Sequence, residues 1–265
     1  MPRTPRTAPV SRPAVIELRR YTLLPGRRDE LIELFDREFV EAQEATGMIV
    51  LGQFRDLDDP DRFVWLRGFA DMETRREALS AFYGGPVWAT HGPRANATMA
   101  DSDDVLLLRP LPAGTAAPDG AAAPGRASAS DRAASPDRAS APGRAPTPNR
   151  FVAVALWHFP PGDADGPALI HDRLVPVLRE TGPTPLAVLV TEPADNTFPR
   201  LPVRTGENVV AVVTSYPDEQ AHRRHLAGTT DHPLVRDEIR PAVERAQSAA
   251  PLLLRLTPTA RSLVR

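Results

Sequence analysis

The segment VIELRRYTLLPG at residues 15–26 recurs as FVAVALWHFPPG at residues 151–162, and reading the two together decides the fold. In the first copy Glu17, Arg19 and Tyr21 fall on one face of an extended strand, while Ile16 and Leu18 fall on the other. Pro25-Gly26 then turns the chain. Leu31, Leu34, Phe35, Phe39 and Ala42 follow with the spacing of one helical stripe, which predicts a helix from about 27 to 45 capped by Gly47. Strands are expected at 49–54 and 63–69 around an acidic loop at 56–61, then a helix at 73–83 and a last strand at 105–109. The order is βαββαβ. Downstream, Thr181-Gly182 matches Thr46-Gly47, SYPDEQAHRRHL (215–226) matches GFADMETRREAL (68–79), and LLLR (252–255) matches LLLR (106–109). With strands at 187–190 and 209–216, a second βαββαβ unit is predicted.

Between the copies, residues 113–150 contain no Val, Ile, Leu, Met or aromatic residue and reuse short units such as PGR and PDR. Such a stretch has nothing to bury against its ordering entropy and is expected to be a disordered linker. The expected organisation is a disordered tail (1–13), an N-terminal domain (14–112), the linker (113–150), a C-terminal domain (151–258) and a short tail (259–265).

Composition narrows the chemistry. The 265-residue chain has a net charge of −2, which gives no bulk attraction to nucleic acid or anionic lipid, and neither is an expected partner. It has no cysteine, so thiolate catalysis, Cys-ligated zinc and iron–sulfur clusters are excluded. All 32 basic residues are Arg, and the missing lysine removes Schiff-base and lysine-anchored PLP chemistry. No apolar run reaches the roughly 18 residues that span a bilayer, and the proline-rich start has no secretory apolar region. The expected location is the cytoplasm. The Arg-, Ala- and Pro-rich composition fits a GC-rich bacterial genome.

The most informative stretch for function is FYGGPVWATHGPRANATMADSDDVLLLRP (82–110). Gly84-Gly85-Pro86 ends one helix and starts the next, because a proline at a helix start lacks only an N–H that would have no partner. Together with ELRRYTLLPGR (17–27), WLRGF (65–69) and an Arg in the following helix, this signature resembles the NIPSNAP family over residues 15–110. The second half is similar only in layout. The resemblance implies a ferredoxin-like α+β domain of the dimeric α+β barrel group, so two tandem ferredoxin-like copies would close one intramolecular barrel, a pseudo-dimer that can oligomerise further. Families sharing that barrel include cofactor-free monooxygenases, polyketide cyclases, haem-dependent enzymes and small lactone isomerases.

If the first and third strands are neighbours, Glu17, Arg19, Tyr21, Trp65 and Arg67 meet in one patch able to grip an anionic or phenolic ligand. The competing expectation is a Glu17–Arg ion pair with aromatic packing at the interface between the two sheets. Trp88 and Asn96 are expected to complete the ligand-binding set. His91 and Tyr21 are the candidate catalytic proton carriers, the rival reading of His91 being a surface or capping histidine. The second unit has Val212, Thr214, Val235 and Glu238 at the positions of Trp65, Arg67, Trp88 and His91, so the site is expected once per chain. His222 and His225 are expected on a solvated helix face in preference to a metal site, and Trp157 in the core. The expected function is that of a binder or a cofactor-independent enzyme (oxygenase, cyclase or isomerase type) for a hydrophobic, partly anionic small metabolite in the N-terminal pocket. No cofactor or metal is expected. The competing class is a non-catalytic interaction or scaffold module.

Overall fold

A computed structural model describes residues 12–111 and 150–265. The expected linker, all but Arg150, and the expected N-terminal tail, all but Arg12 and Pro13, lie outside the described residues. The first unit runs β1 (Val15–Leu23), α1 (Arg28–Leu34), a π turn (Phe35–Phe39), α2 (Val40–Glu44), β2 (Ile49–Asp56), β3 (Arg62–Phe69), α3 (Met72–Tyr83), α4 (Pro86–Asn96), β4 (Met99–Asp101) and β5 (Val105–Pro110). The second runs β6 (Phe151–His158), α5 (Asp165–Ala168), a π turn (Leu169–Leu174), α6 (Val175–Thr181), β7 (Ala187–Thr191), β8 (Val209–Tyr216), α7 (Glu219–Asp231), a π turn (Val235–Ile239), α8 (Arg240–Ala246) and β9 (Ala249–Pro258).

The repeat shows in matching local signals. Asp71 caps α3 by accepting from Thr74 N at 2.6 Å, and Asp218 caps α7 by accepting from Ala221 N at 2.7 Å. Gly26 and Gly162 hold φ of +74° and +83° at equivalent turns, a conformation that costs glycine little. Two details depart from the expected pattern. The single helix of 27–45 is interrupted by the π turn at Phe35–Phe39, and Phe39 and Gln43 are both buried. The short strand β4, which pairs Met99 and Asp101 with the end of β1, was not expected.

The strands close into a barrel in the order β3-β2-β9-β6-β8-β7-β5-β1, with β1 pairing back onto β3 and β4 beside it. The fold is therefore α+β, with two ferredoxin-like βαββαβ units in one closed antiparallel barrel. The seams between units are Phe54 to Asp56 against Leu256 to Pro258, and Leu108 to Pro110 against Leu189 to Thr191. Period-two alternation sends Ile16, Leu18, Val64 and Leu66 into the barrel to meet Val152, Val154, Val213 and Leu254. The opposite face of each sheet packs against that unit's own helices, and each pairing makes a separate core.

The C-terminal residues 259–265 correct the expectation of a tail. Thr259 N donates to Gln53 O at 2.8 Å and Val264 N to Leu51 O at 2.9 Å, so this segment continues the β2 edge. Ser262 is fully buried there and accepts from Gln53 N at 3.3 Å. No helix among the described residues is long and apolar enough to cross a membrane.

Candidate functional site

The pairing of β1 with β3 sets Glu17 opposite Arg67 and Arg19 opposite Trp65. All four point to the helix side, and the helices bury them completely or nearly so. Glu17 lies at the centre. Its Oε2 accepts from Arg19 Nη1 at 2.8 Å and from Arg67 Nε at 2.7 Å, and its Oε1 accepts from Arg75 Nε at 2.7 Å. Arg19 Nε donates to the Tyr21 hydroxyl at 2.9 Å, and Arg67 Nη1 donates to Gln43 Oε1 at 3.1 Å and Tyr83 Oη at 3.4 Å. The Arg67 guanidinium also lies 5.0 Å from the Trp65 ring centroid.

Three guanidiniums around one carboxylate leave two positive charges in excess inside a buried cluster. Burial pushes the Glu17 carboxyl up, but Arg67, Arg19 and Arg75 outweigh it and hold the group well below the usual carboxylate range. Burial lowers the Arg75 pKa; Glu17 opposes this, while the like charges of Arg67 and Arg19 push the same way. The Tyr21 phenol is raised by burial against the pull of Arg19, so it stays protonated at neutral pH. Arg19 Nη2, Arg75 Nη2 and Trp65 Nε1 are buried donors with no acceptor among the described residues. Buried donors are rarely left so.

The second unit covers this cluster. Where the first unit joins β2 to β3 through a short acidic loop, the second joins β7 to β8 through residues 192–208, which reach across to α3. Arg75 Nη1 donates to Asn196 Oδ1 at 2.9 Å and Thr197 Oγ1 at 3.3 Å, and the Thr197 hydroxyl donates to Met72 O at 3.1 Å. Phe198 stacks on Tyr83 with ring centroids 5.9 Å apart and enters the first unit's helix-side core. Beside the cluster, Tyr21, Phe39, Gln43, Trp65, Tyr83 and Trp88 line a cavity of about 20 Å³, room for a single water.

Of the residues singled out in the sequence, Glu17, Arg19, Tyr21, Trp65 and Arg67 come together, and Trp88 closes the adjacent cavity. His91 and Asn96 do not join them. His91 Nε2 lies 3.4 Å from Glu38 Oε2 across the α4–π-turn contact, and Asn96 is exposed at the end of α4. The ion pair expected between the sheets is instead under the helices, because strand alternation gives the barrel interior to Ile16 and Leu18. Sequence reasoning also missed Arg75, Gln43, Tyr83 and the 192–208 strap. Arg75 was legible as the residue aligned with His222.

That alignment carries a second correction. His222 and His225 are buried, not solvated. His222 stacks on Phe151 with centroids 4.7 Å apart, and His225 bridges the Tyr216 hydroxyl at 2.7 Å and the Leu178 carbonyl at 3.0 Å. Ala153, Ala155, Thr214 and His222 stand where the first unit has Glu17, Arg19, Arg67 and Arg75. Trp157 is only half-buried. Among the described residues no group of three or more His, Cys, Asp or Glu is placed to hold a metal.

A closed barrel of two ferredoxin-like units, with helices outside and a buried charge cluster under one sheet, defines a protein of the α+β barrel class. Within that class, residues 16–113, which make up the N-terminal unit, match the NIPSNAP family. Over nearly its whole length the chain is similar to a putative monooxygenase from Lactobacillus acidophilus, at 13% identity, 93% of this chain, 94% of that chain and a TM-score of 0.52. It is likewise similar to an anthrone oxidase-like protein, at 15% identity, 97% and 96% coverage and a TM-score of 0.53. At these identities the likeness is one of fold. A NIPSNAP family protein from Agrobacterium tumefaciens matches 36% of this chain and 86% of its own, at 20% identity and a TM-score of 0.34. No curated protein matches the chain in sequence.

Proposed function

We propose that the N-terminal unit binds a small molecule with an apolar body and one anionic oxygen, a carboxylate, phenolate or enolate. The oxygen is held by the Arg19–Arg67–Arg75 cluster and the body lies among Trp65, Tyr83, Trp88 and Phe39. One observation carries the reading: two positive charges in excess are buried beside N–H donors that lack acceptors. A buried charge is costly unless paired, and an anionic ligand supplies the pairing. Because the cavity admits only a water-sized guest, the ligand enters by displacing Phe198 and Tyr83 or the Trp88 indole. If the bound molecule is transformed, the cluster stabilises the oxygen anion from which the reaction starts, and Tyr21 acts as proton donor. Glu17, held by three guanidiniums, is too weak a base for the opposite role.

Calorimetric titration of 4-ethylbenzoate against its neutral isostere 4-ethylbenzamide tests this, in the wild-type chain and in Phe198→Ala, where the cover is opened. The acid is expected to bind at least tenfold more tightly, and Arg75→Met to erase the preference. Equal binding of acid and amide, or binding of neither by either protein, overturns the proposal.

A further inference from the structure

The second unit has its own cleft between sheet and helices, at the place equivalent to the first unit's closed cavity. Trp157, Leu174, Thr230 and Val235 stand there at the positions of Tyr21, Phe39, Tyr83 and Trp88. Exchange of three large side chains for Leu, Thr and Val opens a cavity of about 200 Å³, against about 20 Å³ in the first unit. An engineered apolar cavity of about 150 Å³ takes up benzene, so this one is large enough for a substituted ring. Ile239 and Val243 continue the apolar lining. The Glu17, Arg19 and Arg67 positions carry Ala153, Ala155 and Thr214, so no charge cluster lies beneath it. Thr230, Arg240, Glu244 and Gln247 are the polar side chains at its wall, and of these Gln247 carries a buried atom without a partner: its Oε1 has no donor among the described residues. Arg240, also at the wall, spends Nη2 on the Thr230 carbonyl at 2.9 Å.

We infer that the C-terminal unit holds a second small-molecule site for a neutral, largely apolar compound bearing one hydroxyl, such as an alkylphenol or a medium-chain alcohol. A hydroxyl fits the Gln247 amide in either orientation of that amide, since it both donates and accepts. The two units thus divide by charge: the N-terminal copy suits an anion and the C-terminal copy a neutral guest. This site stands independently of the N-terminal proposal.

The test is calorimetric titration with 4-ethylphenol and with ethylbenzene at neutral pH. The wild-type chain is expected to bind 4-ethylphenol at one site and to prefer it over ethylbenzene at least fivefold. Gln247→Leu should abolish that preference while keeping hydrocarbon binding. Val235→Trp, which restores the first unit's side chain, should lower affinity at least tenfold. Because that change falls at a buried position, Thr230→Tyr at the exposed mouth is the companion variant, expected to act in the same direction with the fold intact. The inference is overturned if the wild-type chain binds no 4-ethylphenol, or if Thr230→Tyr and Gln247→Leu both leave binding untouched.

Discussion

Substituting Glu17 by Gln removes the one carboxylate that three fully buried guanidiniums share, while keeping the side chain's size. Taking one partner out of a buried ion pair leaves an uncompensated charge in low dielectric, at a cost of about 3–5 kcal/mol. Here three cations lose their anion at once, so the upper part of that range is expected. Against a total stability of about 5–15 kcal/mol, this is a large share. For a domain of this size 1 kcal/mol shifts Tm by about 2–4 °C, so a cost of about 4–5 kcal/mol should lower it by roughly 8–20 °C. The diagnostic comparison is the quadruple variant E17L/R19M/R67M/R75M, which replaces all four charges by apolar groups of similar bulk. Buried ionic clusters exchanged whole for apolar residues are often neutral or stabilising, so the quadruple variant should melt above E17Q. The second unit already carries Ala153, Ala155, Thr214 and His222 there and has the same fold. Differential scanning calorimetry and urea denaturation of the three proteins decide the matter. An E17Q protein as stable as wild type, or a quadruple variant less stable than E17Q, would refute the account of the cluster as an excess of buried positive charge.

Other consequences are as direct. Phe198→Ala should cost about 3 kcal/mol by chemical denaturation, the low end for a buried phenylalanine, since Phe198 serves the first unit's core from the second unit's strap. Burial holds the imidazoles of His222 and His225 below their ordinary value, with the Leu178 carbonyl opposing for His225. The unfolded chain therefore binds protons first as pH falls below about 6.5, and stability present at pH 7 should decline toward pH 5. His222→Phe, which keeps the stack on Phe151, should flatten that decline in a series of thermal melts. A Cβ at Gly92 would lie 2.7 Å from the Trp88 indole, so Gly92→Ala should displace the ring and shift tryptophan emission. His91→Ala should leave 4-ethylbenzoate affinity unchanged in titration, since His91 pairs with Glu38 outside the cluster.

The sequence alone determined the duplicated βαββαβ order, the faces of β1 and β3 and the single occurrence of the charged patch. These follow from local periodicity: a period of two or 3.6 and a capping Asp or turn Gly are properties of neighbours along the chain. It also supplied the five residues that meet at Glu17, because strand alternation and the pairing of two central strands are enough to bring them together. What it could not settle is which side of the sheet faces the other sheet. Either face of β1 alternates equally well, and only barrel closure assigns Ile16 and Leu18 to the interior and Glu17 to the helices. The burial of His222 and His225 was hidden for a similar reason, since an amphipathic helix does not declare how deeply its polar stripe sinks. The strap at 192–208 and the residues 259–265 lie furthest from what sequence can reveal. Their bonds to Arg75 and to Gln53 join positions more than a hundred apart, and such contacts exist only once the two units have closed on each other.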